Sequence, residues 1–189
     1  MKRNFWPIGI FGFLFLMVCA VIATVVISIK NPIKEDDSYF SSKKIIDENI
    51  NEIIKDQNRF TQKYSLYLGV NKSPQVDGYA KLLPVYMAQS NAQNARHIYL
   101  ENKDNNHIYV KALCKQPQNL TIRIYMEKIN TQQKKIDLGE MQYQENKGYF
   151  ASQSFGNLKE GRYKAIFEVS YLEDNKNKKV FFEREVYAR

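Results

Sequence analysis

From Phe5 to Ile29 the chain carries no charged residue. At about 1.5 Å of rise per residue, a helix over Ile8 to Ile29 would cross the roughly 30 Å hydrocarbon core of a bilayer. Trp6 stands where an interfacial anchor is expected, Lys2 and Arg3 flank one end, and Lys30 with Asn31-Pro32 closes the other. The stretch reads as a transmembrane helix, and the chain beyond Pro32 as a part tethered to a membrane.

Two rival readings fit less well. A secretory signal peptide has an apolar core of about 7 to 15 residues and then a small-residue cleavage site. Here apolar sequence continues past the one passable candidate, Val21-Ile22-Ala23. Leu16-Met17-Val18-Cys19 has the outline of a lipoprotein site, but the residue before the cysteine should be small and apolar sequence follows it. Orientation stays open on charge alone. Lys2 and Arg3 favour a cytoplasmic N-terminus, whereas Lys30, Lys34, Lys43 and Lys44 lie close behind the span.

With the anchor set aside, the chain of 189 residues has room for one modest domain with a hydrophobic core, not two large ones. Of its 28 basic residues only Lys2 and Arg3 precede the span; the rest come after it, together with all 20 acids. Because lysines and acids are interleaved and no run of five cations occurs, a solvated basic surface is expected rather than a nucleic-acid tract. The two cysteines, Cys19 in the span and Cys114 far beyond it, supply no intramolecular disulfide framework. Asn71-Lys72-Ser73 and Asn119-Leu120-Thr121 match the glycosylation tripeptide, which an Asn-rich chain produces by chance.

The expected organisation has four parts: a tail and anchor over 1–30, a juxtamembrane helix over 31–63, a connecting region with potential first strands over 64–96, and a β-sandwich over 97–189. Tyr39, Lys43, Ile46, Ile50, Ile53, Gln57 and Phe60 recur at alternating spacings of four and three, the signature of one helical face. Since Lys43 and Gln57 interrupt that stripe, it should pack on the domain or a partner instead of forming a self-sufficient coiled coil. From Tyr64 onward the period changes to alternation. Ser65–Val70 reads as a strand and Leu82–Met87 as a short strand or turn.

Beyond residue 97 the alternation strengthens. Ile98 and Leu100 face one way, and after the turn Lys103-Asp104-Asn105-Asn106 so do Ile108, Val110, Ala112 and Cys114. Leu120, Ile122, Ile124 and Met126 form a third apolar row. Ile136 and Leu138 shift phase across Gly139 to Met141 and Tyr143, as a bulge or turn allows. Tyr163, Ala165, Phe167, Val169 and Tyr171 then share a face, Asp174–Asn177 turns, and Val180, Phe182 and Val186 return. About seven short strands with no helical pattern among them point to an antiparallel sandwich of immunoglobulin-like type.

Catalytic chemistry is sparse. His97 and His107 are the only histidines. A hairpin pairing Glu101 with His107 would set the two four positions apart along the ladder, about 13 Å, too far to share one metal. Cys114 and Met126 are soft donors suited to cuprous copper, yet each falls in register with the apolar face of its strand, where both types are ordinary core residues. No zinc, phosphate-loop or metalloprotease spacing occurs. A binding or assembly role is expected, with no catalytic residue, no resident cofactor and no small-molecule substrate.

The order of parts resembles the FixH family, also called CcoH, single-span proteins tied to maturation of cbb-type cytochrome c oxidase in bacterial inner membranes. Asn4-Phe5-Trp6-Pro7 opens the span, Asn31-Pro32 closes it, and Asp37-Ser38-Tyr39-Phe40 stands where the family has an acid followed by two tyrosines. Gly148-Tyr149-Phe150 and Leu158-Lys159-Glu160-Gly161-Arg162-Tyr163 are similar to the family's turn into a strand, with Tyr163 in place of tryptophan. The resemblance implies an N-terminus in the cytoplasm, a periplasmic sandwich and a partner among oxidase subunits. Expected partner-binding residues are Trp6, Tyr39, Phe40, Ile46, Ile50 and Ile53, with Gly161, Arg162 and Tyr163 as structural motif residues. The alternatives are a periplasmic copper carrier using Met126, Cys114 or the histidines, and an unrelated tethered envelope scaffold or sensor.

Overall fold

A computed structural model describes residues 6–30, 43–85, 97–101, 103–114, 117–129 and 135–189, with backbone alone for 43–47 and 118. The chain divides into two compact units, Met1–Lys43 and Lys44–Arg189. The first contains one described helix, α1 (Trp6–Lys30), long and apolar enough to cross a membrane, with none of its residues buried. The second begins with α2 (Lys43–Lys63), which enters it at Lys44, and continues as a β-sandwich.

Ten strands complete the chain: β1 (Ser65–Val70), β2 (Leu83–Pro84), β3 (Ile98–Leu100), β4 (Ile108–Leu113), β5 (Thr121–Lys128), β6 (Ile136–Glu140), β7 (Gln142–Gln144), β8 (Tyr149–Ala151), β9 (Gly161–Glu173) and β10 (Lys176–Ala188). Sheet one has the order β1-β4-β8-β7. Sheet two runs β2-β10-β9-β5-β6, with β3 also on β10. The sandwich therefore starts at Ser65, and the region 64–96 contributes β1 and β2 to it.

The β9–β10 hairpin is the longest element. Asp174 and Asn175 sit at φ 51° and 58° between Glu173 and Lys176, the two-residue turn whose twist matches that of paired strands. Its apolar face behaves as the alternation predicts: Tyr163, Ala165, Phe167, Val169 and Tyr171 are all buried, as are Val180, Phe182 and Val186. Leu66, Leu68, Ile108, Val110 and Phe150 meet them from sheet one.

Two segments pass between the sheets. Leu68 N donates to Ala80 O and Leu82 N to Leu66 O, each at 2.8 Å, which hooks residues 80–82 onto the edge of β1. Immediately afterwards β2 pairs with Phe182 and Glu183 of β10. On the other side β6 pairs with β5, the register shifts at Ile124/Tyr125, Gly139 takes φ 81°, and Met141 N reaches Ile122 O at 2.7 Å before β7 joins β8. The phase shift expected at Gly139 is thus also a change of sheet.

The structure corrects several expectations. β3 and β4 do not form a hairpin: β3 pairs parallel to β10, Ile98 with Val186, while β4 lies in sheet one. The link between them is tied down by Asn106, wholly buried, whose amide donates to Lys103 O at 2.7 Å and accepts from Asn71 Nδ2 at 2.9 Å. The spacing derived for the two histidines from that hairpin falls with it. Ile136, assigned to the core, is 40% exposed because it opens the edge strand β6 ahead of the register shift. Cys114 lies one residue beyond β4 and is half-buried, packed against the core without entering it, whereas Met126 is fully buried.

Candidate partner-binding surfaces

The residues expected to bind a partner divide by position. Trp6 is 76% exposed at the start of α1. Tyr39, Phe40 and the side chain of Ile46 lie outside the described residues. Ile50 and Ile53 are half-buried on α2, and the stripe they belong to ends in two wholly buried residues, Gln57 and Phe60. So the last two turns of α2 serve as a joint to the sandwich.

That joint is built from one aromatic plug and a polar collar. The Phe60 ring stacks on Tyr64 at 4.5 Å and meets Tyr171 at 5.0 Å and Phe182 at 5.5 Å. Gln57 Nε2 donates to the Phe181 carbonyl, so the polar residue that interrupts the apolar stripe bonds the strand on which the helix rests. Around the plug, Lys178 joins Asp56 at 2.6 Å and Glu173 at 3.2 Å, while Lys63 reaches Glu173 at 2.5 Å. The Lys63 ammonium, then Lys178, holds the Glu173 carboxyl below the usual carboxylate range. Burial, reinforced by Glu173 and Asp56, pushes the Tyr171 phenol up to about 12.

The Gly161-Arg162-Tyr163 motif forms a corner where the chain enters β9. Gly161 has φ 140°, a backbone conformation that residues with a side chain rarely adopt, so glycine is favoured there. Tyr163 is buried and its hydroxyl donates back to Lys159 O at 2.8 Å, the tyrosine-corner arrangement of sandwich folds. Arg162 points outward, pairing with Glu185 at 2.8 Å and lying 5.6 Å from the centroid of Tyr187. Hydrogen bonding to Glu185 raises the Arg162 pKa further.

Sequence reasoning missed Arg184. It occupies the inward position between Phe182 and Val186, is 7% exposed, and donates from Nη2 to Tyr79 O at 2.6 Å, pinning the 71–82 loop to β10. Desolvation lowers its pKa. The Phe182-Arg184-Val186 alternation could have flagged a cation aimed at the core.

The histidines lie in different surroundings. His97, before β3, has its ring 4.7 Å from that of Tyr187; His107, before β4, places Nδ1 3.3 Å from Ser152 O. Among the described residues, no three His, Cys, Asp or Glu side chains come together in a group that could hold a metal ion. At the first glycosylation tripeptide, Asn71 Nδ2 already donates to Glu101 O at 3.1 Å and to Asn106, so the nitrogen that a glycan would take is committed to the fold. In comparisons with protein-family models and with curated proteins, nothing matches this chain.

Proposed function

We propose that this chain is a membrane-anchored assembly or stability factor for a cbb-type haem-copper oxidase, acting by protein–protein contact, with its N-terminus in the cytoplasm and the sandwich in the periplasm. The observation that carries the reading is the pairing of a wholly exposed apolar helix with a β-domain whose own leading helix is plugged into it by Phe60. One end can be read from within a bilayer and the other can present a fixed surface outside it. The oxidase itself enters through the resemblance: the order of the Trp6-Pro7 opening, the Asn31-Pro32 close and the Gly161-Arg162-Tyr163 corner supports that choice of partner.

The test replaces Ile8–Ile29 with an unrelated transmembrane helix of equal length. On this reading the chimera inserts with the same orientation but no longer copurifies with the oxidase, and oxidase levels fall. Full rescue by the foreign helix would remove α1 from the binding surface and with it the observation on which the reading rests.

A further inference from the structure

The two sheets differ in what they turn outward. On sheet two, cations are matched by acids: Arg123 with Asp137 at 2.5 Å, Lys179 with Glu168 at 2.6 Å, Arg162 with Glu185 at 2.8 Å and Lys164 with Glu183 at 3.5 Å. Sheet one has no Asp or Glu in any of its four strands. Its inward residues Leu66, Leu68, Ile108, Val110 and Phe150 are buried, so the alternate positions, Tyr67, Tyr109, Lys111 and Tyr149 among them, face out.

Those outward residues are ordered by register. Lys81 bridges to Tyr67, and Tyr67 pairs with Lys111. Continuing the β4–β8 register from Tyr109↔Ala151 and Val110↔Phe150 sets Lys111 opposite Tyr149. Lys147 Nζ stands 5.9 Å from the Tyr149 centroid, and Tyr109 meets Tyr149 edge-on at 5.2 Å. Lysine and tyrosine therefore alternate across the sheet, and with strands about 4.8 Å apart Lys81 and Lys111 are held about 10 Å from each other. None of the three lysines has an ion-pair partner among the described residues.

We infer that the outer face of sheet one is a docking surface for an acidic protein surface. Lysines left without an acid partner among the described residues favour an occupant of opposite sign, and the three tyrosines supply rigid contact area with hydroxyl tips. A bilayer fits less well, because Leu113, 41% exposed, is the one exposed large apolar side chain on these strands and the groups around it are hydroxyls, amides and ammoniums. A nucleic acid fits less well, because no arginine stands on these strands to grip phosphate bidentately. The patch spans only short strands, which suits a transient, electrostatically steered encounter. This inference goes beyond the oxidase reading and stands without it.

The test uses full-length protein in phosphatidylcholine nanodiscs and a fluorescent polyglutamate peptide, with binding read by anisotropy. Combining Lys81→Gln, Lys111→Gln and Lys147→Gln should weaken binding about tenfold or more, while the charge-matched Lys55→Gln, Lys72→Gln and Lys176→Gln should change it at most about threefold. Lysine acetylation footprinting on the wild-type protein needs no variant to fold: bound peptide should protect Lys81, Lys111 and Lys147 selectively. Equal losses in both triples, or uniform protection, would reduce the effect to net charge and overturn the assignment. Protection of the same lysines in phosphatidylglycerol nanodiscs without peptide would give the face to the bilayer instead. Tighter binding of an oligothymidylate of equal charge, with the same footprint, would give it to nucleic acid.

Discussion

Phe60→Ala tests whether α2 is structurally part of the sandwich. The ring is fully buried and touches Tyr64, Tyr171 and Phe182, one partner just past the end of its own helix and one from each strand of the long hairpin. Truncating a buried phenylalanine costs about 3 to 5 kcal/mol. Three aromatic neighbours, each worth about 0.5 to 1.5 kcal/mol beyond area, argue for the upper half of that range. Since domains of this size are stable by about 5 to 15 kcal/mol, the variant should remain folded with a much lower urea midpoint. Native-state hydrogen exchange then locates the loss: α2 amides from Asn58 to Lys63 should lose protection together with the hairpin tip. A loss under about 1 kcal/mol with α2 protection unchanged would show that the collar of ion pairs holds the helix and that the plug does not.

Gly69→Ala should destabilise the sandwich by about 1 to 3 kcal/mol in urea unfolding, because the new Cβ would lie 2.5 Å from Lys72 O and 2.8 Å from Pro74 N, both backbone atoms that cannot swing aside. An unchanged midpoint would mean that the Lys72–Pro74 turn moves freely. Tyr171 predicts an alkaline limb: its folded value of about 12 stands above the ordinary 10.0, so its contribution is complete below pH 10 and is lost as pH rises through about 12. The loss is worth roughly 2 to 3 kcal/mol. Tyr171→Phe keeps the ring and the same lysines, so its stability should fall less between pH 10 and 12; parallel curves would refute the assignment.

The faces of the strands were legible in the sequence, and their neighbours were not. Alternation fixes which side of β5, β9 and β10 meets the core, because inward and outward positions differ in polarity along one strand. It contains no information on pairing, so Ile98–Leu100 and Ile108–Leu113 read as a local hairpin although β3 lies on β10 and β4 in the other sheet. β2 is two residues long, too short for any period. Gln57 looked like a flaw in an apolar stripe because its partner, the Phe181 carbonyl, is 124 residues away. The lysines and tyrosines of sheet one were overlooked for a related reason. Their significance lies in cross-strand neighbours, and only the register of β1 on β4 and β4 on β8 supplies those.

The β9–β10 hairpin connects these observations physically. Its tip receives Phe60 and the Lys178 ion pairs, its middle is capped by β2 at Phe182 and Glu183, and its base carries the Tyr163 corner and β3. A thirteen-residue ladder closed by a tight two-residue turn has one register, because a slip by one would turn Phe167 and Val169 outward. α2 therefore cannot pivot on the sandwich without exposing Phe60 or breaking that ladder. Whatever grips α2 also fixes the direction in which Lys81, Lys111 and Tyr149 face. A partner that engaged both surfaces would gain from a spacing already set by the fold, since the ordering cost was met on folding and not on binding.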